Sequence, residues 1–130
     1  MTESIAPAIT DRYIAVWSES DPESRRAAIA DLWAPDGVEF VEGIQFRGRE
    51  ELDARIAHAY QEFVASGKYA VTSAEDMARH HDIITFTIQL TASGDQESGD
   101  VAWAARVFLL LDENGQIRED YQLTVKPLAA

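Results

Sequence analysis

The chain has 130 residues, with 23 acidic against 11 basic side chains, a formal net charge of −12, 46% hydrophobic residues and no cysteine. That balance repels phosphate backbones and anionic membrane surfaces, so neither nucleic acid nor membrane is an expected partner. Without cysteine there is no disulfide framework, thiolate nucleophile or zinc–thiolate site. The length suits one domain over residues 1–130. Its longest apolar run, residues 107–111, is far shorter than a membrane span. Residues 1–4 lack the basic region of a signal peptide, which makes a cytoplasmic location the expectation.

Ile5, Ile9, Tyr13, Val16 and Trp17 recur every three or four residues and predict a first helix with one buried stripe. Asp21 followed by Pro22 reads as an N-cap and first helical position. The second helix starts there, with Ala28, Ile29, Leu32 and Trp33 on its apolar face, Arg25 and Arg26 toward solvent, and Pro35, Asp36 and Gly37 ending it. One or two short strands around Gly43 fill residues 38–46. A longer helix from Arg49 to about Ser66 buries Leu52, Ile56, Tyr60, Phe63 and Val64, and Gly67 stops it.

Beyond Gly67 the segments 69–77, 83–91, 101–111 and 116–125 are rich in Val, Ile, Thr, Phe and Tyr and predict strands. Turns are expected at His80-His81-Asp82, at residues 93–100 and at residues 112–115, each short enough for antiparallel neighbours. The fold class that follows is α+β, three helices packed on one face of a curved antiparallel sheet.

Elements in this order and spacing resemble the nuclear transport factor 2-like superfamily in its SnoaL-like branch. The resemblance rests on Arg12-Tyr13-Ile14-Ala15 with Trp17, on Leu32-Trp33-Ala34-Pro35-Asp36-Gly37, and on Arg47-Gly48-Arg49-Glu50. His80-His81-Asp82, Gly115-Gln116-Ile117 and Asp120-Tyr121-Gln122 complete it. It implies a sheet curled around the helices as a cone, often enclosing a ligand pocket, and a homodimer formed through the outer sheet face. Functions in the superfamily range from isomerases and cyclases to carriers and scaffolds, so the fold does not settle the function.

Two catalytic patterns can be tested against the residues. Ketosteroid isomerases use a first-helix tyrosine, a buried protonated aspartate and a proton-shuttling aspartate. Tyr13 occupies the first position, whereas Val41 and Val107 occupy the others; valine moves no proton, so this chemistry would need Glu42, beside Val41, as its base. Limonene-epoxide hydrolases need an Arg-x-Asp pair on one strand and an aspartate on the last. The strand IITFTIQLT has no such pair, and Gln122 lies near the last-strand position.

The candidates for catalysis are therefore Tyr13, which would polarise a ligand carbonyl, and Asp120, whose carboxyl would exchange a proton if it faces inward. The register implied by the resemblance turns Arg118, Asp120, Gln122 and Thr124 inward, with Asp120 opposite Val107. Plain hydrophobicity supports the other register, with Ile117, Tyr121, Leu123 and Val125 in the core. The pocket set is Trp17, Trp33, Phe40, Glu42, Ile56, Tyr60, Trp103, Val107 and Gln122, with Phe63 nearby, and its aromatic character suits a small, mostly apolar organic molecule. Arg106, within an apolar strand, needs a carboxylate, for which Glu119 or Asp120 is available, and lies near Tyr121 in register. Adjacent histidines on an extended chain point apart, so His80 and His81 read as a turn, with no metal site and no cofactor implied. The expected function is binding of such a molecule, with acid–base isomerase or cyclase chemistry as its enzymatic form. A non-catalytic carrier or dimeric interaction scaffold is the alternative.

Overall fold

A computed structural model describes residues 5–93 and 100–128. Residues 94–99 of the expected 93–100 turn, residues 1–4 and the side chain of Ile5 lie outside the described part. Three α-helices, α1 (Ile5–Trp17), α2 (Pro22–Leu32) and α3 (Gly48–Ala59), pack on a curved seven-stranded sheet. The strands are β1 (Trp33–Val41), β2 (Ile44–Arg47), β3 (Tyr69–Ser73), β4 (Ala78–His80), β5 (Ile83–Ala92), β6 (Val101–Leu111) and β7 (Ile117–Lys126). Their order is β2-β1-β7-β6-β5-β3, with β4 also on β5. This is the expected α+β layering, with one pairing the antiparallel expectation lacks: β1 runs parallel to β7.

The helices end where the chemistry dictates. The Asp21 carboxylate accepts the Ser24 N–H at 2.8 Å and caps α2. Arg25, expected in solvent, is buried: its Nε and Nη2 donate to the Glu19 carbonyl at 3.2 and 2.9 Å, and its guanidinium lies 5.4 Å from the Tyr60 ring centre. Trp33 opens β1 instead of closing α2, and Pro35-Asp36-Gly37 form an irregularity inside that strand, where the register with β7 shifts between Trp33 and Val38. The predicted long helix is α3 followed by a π-helical turn, Tyr60–Val64, in which the Ala65 N–H donates to the Tyr60 carbonyl. His81, at φ 55°, is the turn residue between β4 and β5, as read from the sequence.

The predicted strand at 69–77 is split into β3 and β4, because residues 74–77 bulge away from β5. Asp76 folds back there and its carboxylate accepts the Thr87 N–H (2.8 Å), the Thr87 hydroxyl (2.7 Å) and Arg106 Nη1 (2.6 Å). Arg106 therefore pairs with Asp76, not with Glu119 or Asp120, and its partner on β7 is Leu123, not Tyr121.

Ile9, Tyr13, Val16 and Trp17 of α1, Ile29 and Leu32 of α2, and Leu52 and Ile56 of α3 form the core against Ile84, Phe86, Ile88, Val107, Leu109 and Ile117 of the sheet. Burial of side chains this size contributes roughly 1.5–3 kcal/mol each. Gly37 marks a close approach. A Cβ there would sit 2.9 Å from both the Ile117 carbonyl oxygen and Trp33 Cδ1. Gly37→Ala is expected to lose about 1–3 kcal/mol of stability, since a backbone carbonyl in a paired strand yields little. A lower urea midpoint at unchanged slope would show it, and an unchanged midpoint would refute it.

Candidate functional site

A cavity of about 310 Å³ opens between the helices and the concave face of the sheet. Trp17 of α1 and Val41, Glu42, Ile44 and Phe46 of the β1–β2 hairpin form one side. Arg55 and Ala59 of α3, with Phe63 and Val64 of the π turn, form a second. Val71, Ile88, Leu90, Trp103 and Gln122 of the sheet, with Leu128, complete it. The walls are mainly apolar, and Arg55, Gln122 and Glu42 supply the polar groups. Glu42 hydrogen-bonds the Thr124 hydroxyl from the hairpin turn, where it is exposed at φ 51°.

The register of β7 decides what lies at the base of the cone. Leu111 pairs with Ile117 and Leu110 with Glu119, which leaves Arg118 as an extra residue. Such a bulge reverses the inward and outward alternation once. Ile117 is thus buried as hydrophobicity demands, and Asp120 and Gln122 are buried as the other register demands. Arg118, expected inward, is exposed, and Tyr121, Leu123 and Val125, expected in the core on hydrophobicity, are exposed too. Asp120 sits opposite Leu109, two residues from the expected Val107, which faces Gln122 instead.

Tyr13 and Asp120 come together. The Tyr13 hydroxyl donates to Asp120 Oδ2 at 2.7 Å and accepts from Gln122 Nε2 at 2.8 Å. Trp17, Trp33 and Phe86 enclose the phenol ring at centroid distances of 6.1, 5.7 and 5.4 Å. Both Tyr13 and Asp120 are 0% exposed and neither lines the cavity, whereas Gln122, bonded to the Tyr13 hydroxyl, does. Asp120 Oδ1 is buried with no hydrogen-bond partner.

Of the other residues read as a pocket, Trp17, Glu42, Trp103 and Gln122 line the cavity, as does Phe63. Trp33, Ile56 and Val107 are fully buried in the core instead. Tyr60 lies under Arg25, and Phe40 stacks on Tyr121 at 4.9 Å. Two residues that sequence reasoning missed matter more. Glu39, also 0% exposed, is the direct neighbour of Asp120 across the β1–β7 pair. Arg55 Nε reaches Glu39 Oε1 at 3.1 Å, with its guanidinium 5.1 Å from the Trp17 ring centre and 5.5 Å from that of Phe46. The helical spacing Leu52, Arg55, Ile56, Ala59 could have placed Arg55 on the inner stripe.

Two buried carboxyls face one guanidinium. Burial drives the Asp120 carboxyl well above the ordinary aspartate range, and the neighbouring Glu39 adds to the rise. Glu39 is raised as well, because burial outweighs the attraction of Arg55. Burial, then the Asp120 and Glu39 carboxyls, raise Tyr13 well above its ordinary value, so it remains a phenol. The assembly thus joins two carboxyls with raised pKa, a phenol and an amide behind the cavity wall.

Folded Asp120 keeps its proton to a higher pH than the unfolded chain does, so the folded state binds more protons above about pH 4, and its contribution to stability falls as pH rises from there. Asp120→Asn removes that titration. The variant's unfolding free energy, measured in urea at a series of pH values, should rise relative to the parent's toward alkaline pH; a constant difference would contradict a raised carboxyl. Tyr13→Phe should cost about 1–3 kcal/mol in the same measurement, since it leaves the Gln122 amide unpaired.

No protein-family model and no curated protein matches the chain. Solved structures do. A proposed isomerase of the SnoaL-like family from Agrobacterium tumefaciens superposes with a TM-score of 0.81 at 23% identity, over 93% of this chain and 97% of that one. A proposed polyketide cyclase from Sinorhizobium meliloti gives 0.63 at 16% identity, over 89% and 94%. A nuclear transport factor 2-like protein of unknown function from Exiguobacterium gives 0.65 at 11% identity, over 92% and 99%.

Proposed function

We propose, for a chain that carries the nuclear transport factor 2-like fold of SnoaL-like proteins, that it binds one small, mostly apolar organic molecule in the cone. The observation that carries this reading is the cavity of about 310 Å³, apolar except for Arg55, Gln122 and the mouth residue Glu42. Such a composition matches sites that bury a small ligand and orient it with a few polar contacts. The comparisons support the same direction, since two of the similar folds are a proposed isomerase and a proposed polyketide cyclase.

The enclosure of Tyr13 and Asp120 favours binding without turnover. Acid–base chemistry would need a proton path to a ligand, and Gln122 blocks the direct one. The carrier reading is the one this geometry supports, and an isomerase or cyclase role is the alternative, to which the raised Asp120 carboxyl beside the Tyr13 phenol lends support.

Native mass spectrometry of freshly purified protein, followed by denaturation, tests the reading. A stoichiometric small molecule should be released, or taken up from a panel of ketones, terpenoids and polyketides. Ala59→Trp, which fills the cavity from α3, should lower uptake at least ten-fold while the protein stays folded by circular dichroism. An empty protein that ignores the whole panel would overturn the proposal.

A homodimer through the outer sheet face is proposed alongside it. Leu123 and Val125 are 57% and 63% exposed there, next to the stacked pair Phe40 and Tyr121. Sedimentation should find a dimer that Leu123→Asp converts to monomer, and a monomeric parent would remove the idea.

A further inference from the structure

We propose that Gln122 reads the ligand, that Tyr13 and Asp120 set which side of its amide faces the cavity, and that the pocket therefore takes a neutral molecule with an acceptor oxygen: a ketone, aldehyde or ester. The inference rests on the binding function proposed above.

A phenol has one hydrogen, so the chain from Gln122 through Tyr13 to Asp120 runs in one sense or the other. In the first sense Gln122 Nε2 donates to the phenol oxygen and the phenol donates to Asp120 Oδ2, which must then accept. The amide oxygen is left for the cavity that Gln122 lines. That sense suits a carboxylate.

A neutral Asp120 does not fit it well. A proton on Oδ1 would have no acceptor, because that atom is buried without a partner. A proton on Oδ2 points at the phenol oxygen, which already holds its own hydrogen. The phenol must then donate toward Gln122, and the amide must turn its oxygen inward to accept. A half-turn about the last side-chain torsion does this, since amide oxygen and nitrogen occupy equivalent positions. Nε2 then points into the cavity.

The surroundings of Asp120 select the neutral form. The titratable and charged groups facing it are Tyr13 from α1, Glu39 from β1 and Arg55 from α3, while its partner on β6 is the apolar Leu109. Arg55 is engaged by Glu39, so a second carboxylate would lie fully buried beside the first with no cation of its own. In this state the cavity wall offers an amide N–H and the remaining guanidinium N–H groups, and both are donors. An acceptor oxygen satisfies both. If Asp120 ionises, its proton passes to solvent, the phenol turns back, and the wall offers an amide oxygen that favours a donor.

Three probes with one ring skeleton separate these states: tetralin, α-tetralone and tetrahydronaphthol, titrated by calorimetry at neutral pH. In the parent protein α-tetralone should bind about ten-fold tighter than tetralin, the order of one or two good hydrogen bonds, and tighter than the phenol. Gln122→Leu should cut the ratio of ketone to tetralin affinity at least three-fold, to the part that Arg55 alone supplies. Tyr13→Phe frees the amide to turn either way, so the ratio of ketone to phenol affinity should fall toward one. A parent that binds tetralin and α-tetralone equally overturns the inference and leaves the apolar cavity standing. A ratio unaltered in Tyr13→Phe, or a ketone advantage undiminished in Gln122→Leu, overturns it too. Failure of all three probes to bind removes the binding function and this inference together.

Discussion

The rest of the site depends on two carboxyls, Glu39 and Asp120, held side by side in the dry base of the cone with one guanidinium between them and the cavity. Desolvating an ion costs several kcal/mol even after relaxation, so the arrangement is tolerable only if one charge is paired and the other is absent. Arg55 pairs with Glu39. Burial raises the Asp120 carboxyl, and both carboxyls are sealed from solvent.

Strand irregularities make that juxtaposition. The parallel pairing of β1 with β7 sets Glu39 next to Asp120, and the shift between Trp33 and Val38 takes up the extra residues of β1, so that Trp33 pairs with Ile117 while Glu39 pairs with Asp120. The extra residue Arg118 does the same for β7 between Ile117 and Asp120. Without it, strict alternation would bury either Ile117 or Asp120, and one of core packing and the polar base would be lost. The π turn after α3 brings the adjacent Phe63 and Val64 together onto the cavity wall.

The layering was legible because periodicity carries it. The stripe Ile9, Tyr13, Val16, Trp17 and the cap Asp21-Pro22 each specify a helix locally, and both are found. The register of β7 was legible only as two half-correct alternatives, since a bulge leaves no composition signal of its own. Glu39 was hidden by its neighbours: in the apolar run Val38-Glu39-Phe40-Val41 a single acid looks like the solvent face, whereas Phe40 faces outward onto Tyr121. Asp76 and Arg106 were missed as a pair because a bulge of residues 74–77, not strand register, brings them together. Arg25 was misplaced for a related reason, as its long side chain can bury a stem and satisfy its head on the Glu19 carbonyl.

The same polar base explains why the resemblance to isomerases carries the fold further than the reaction. A catalytic phenol must touch the reacting atoms, and here three rings and the Gln122 amide enclose it. Val41 on the cavity wall and Val107 sealed in the core carry no carboxyl, and Glu42, on the exposed hairpin turn, is the carboxylate that lines the cavity among the described residues. What remains at the wall is an amide whose hydrogen-bonding sense is inherited from the buried acid behind it. In the proposed state the acid acts on the cavity by orienting that amide, which gives Tyr13 and Asp120 a role that needs no contact with the ligand.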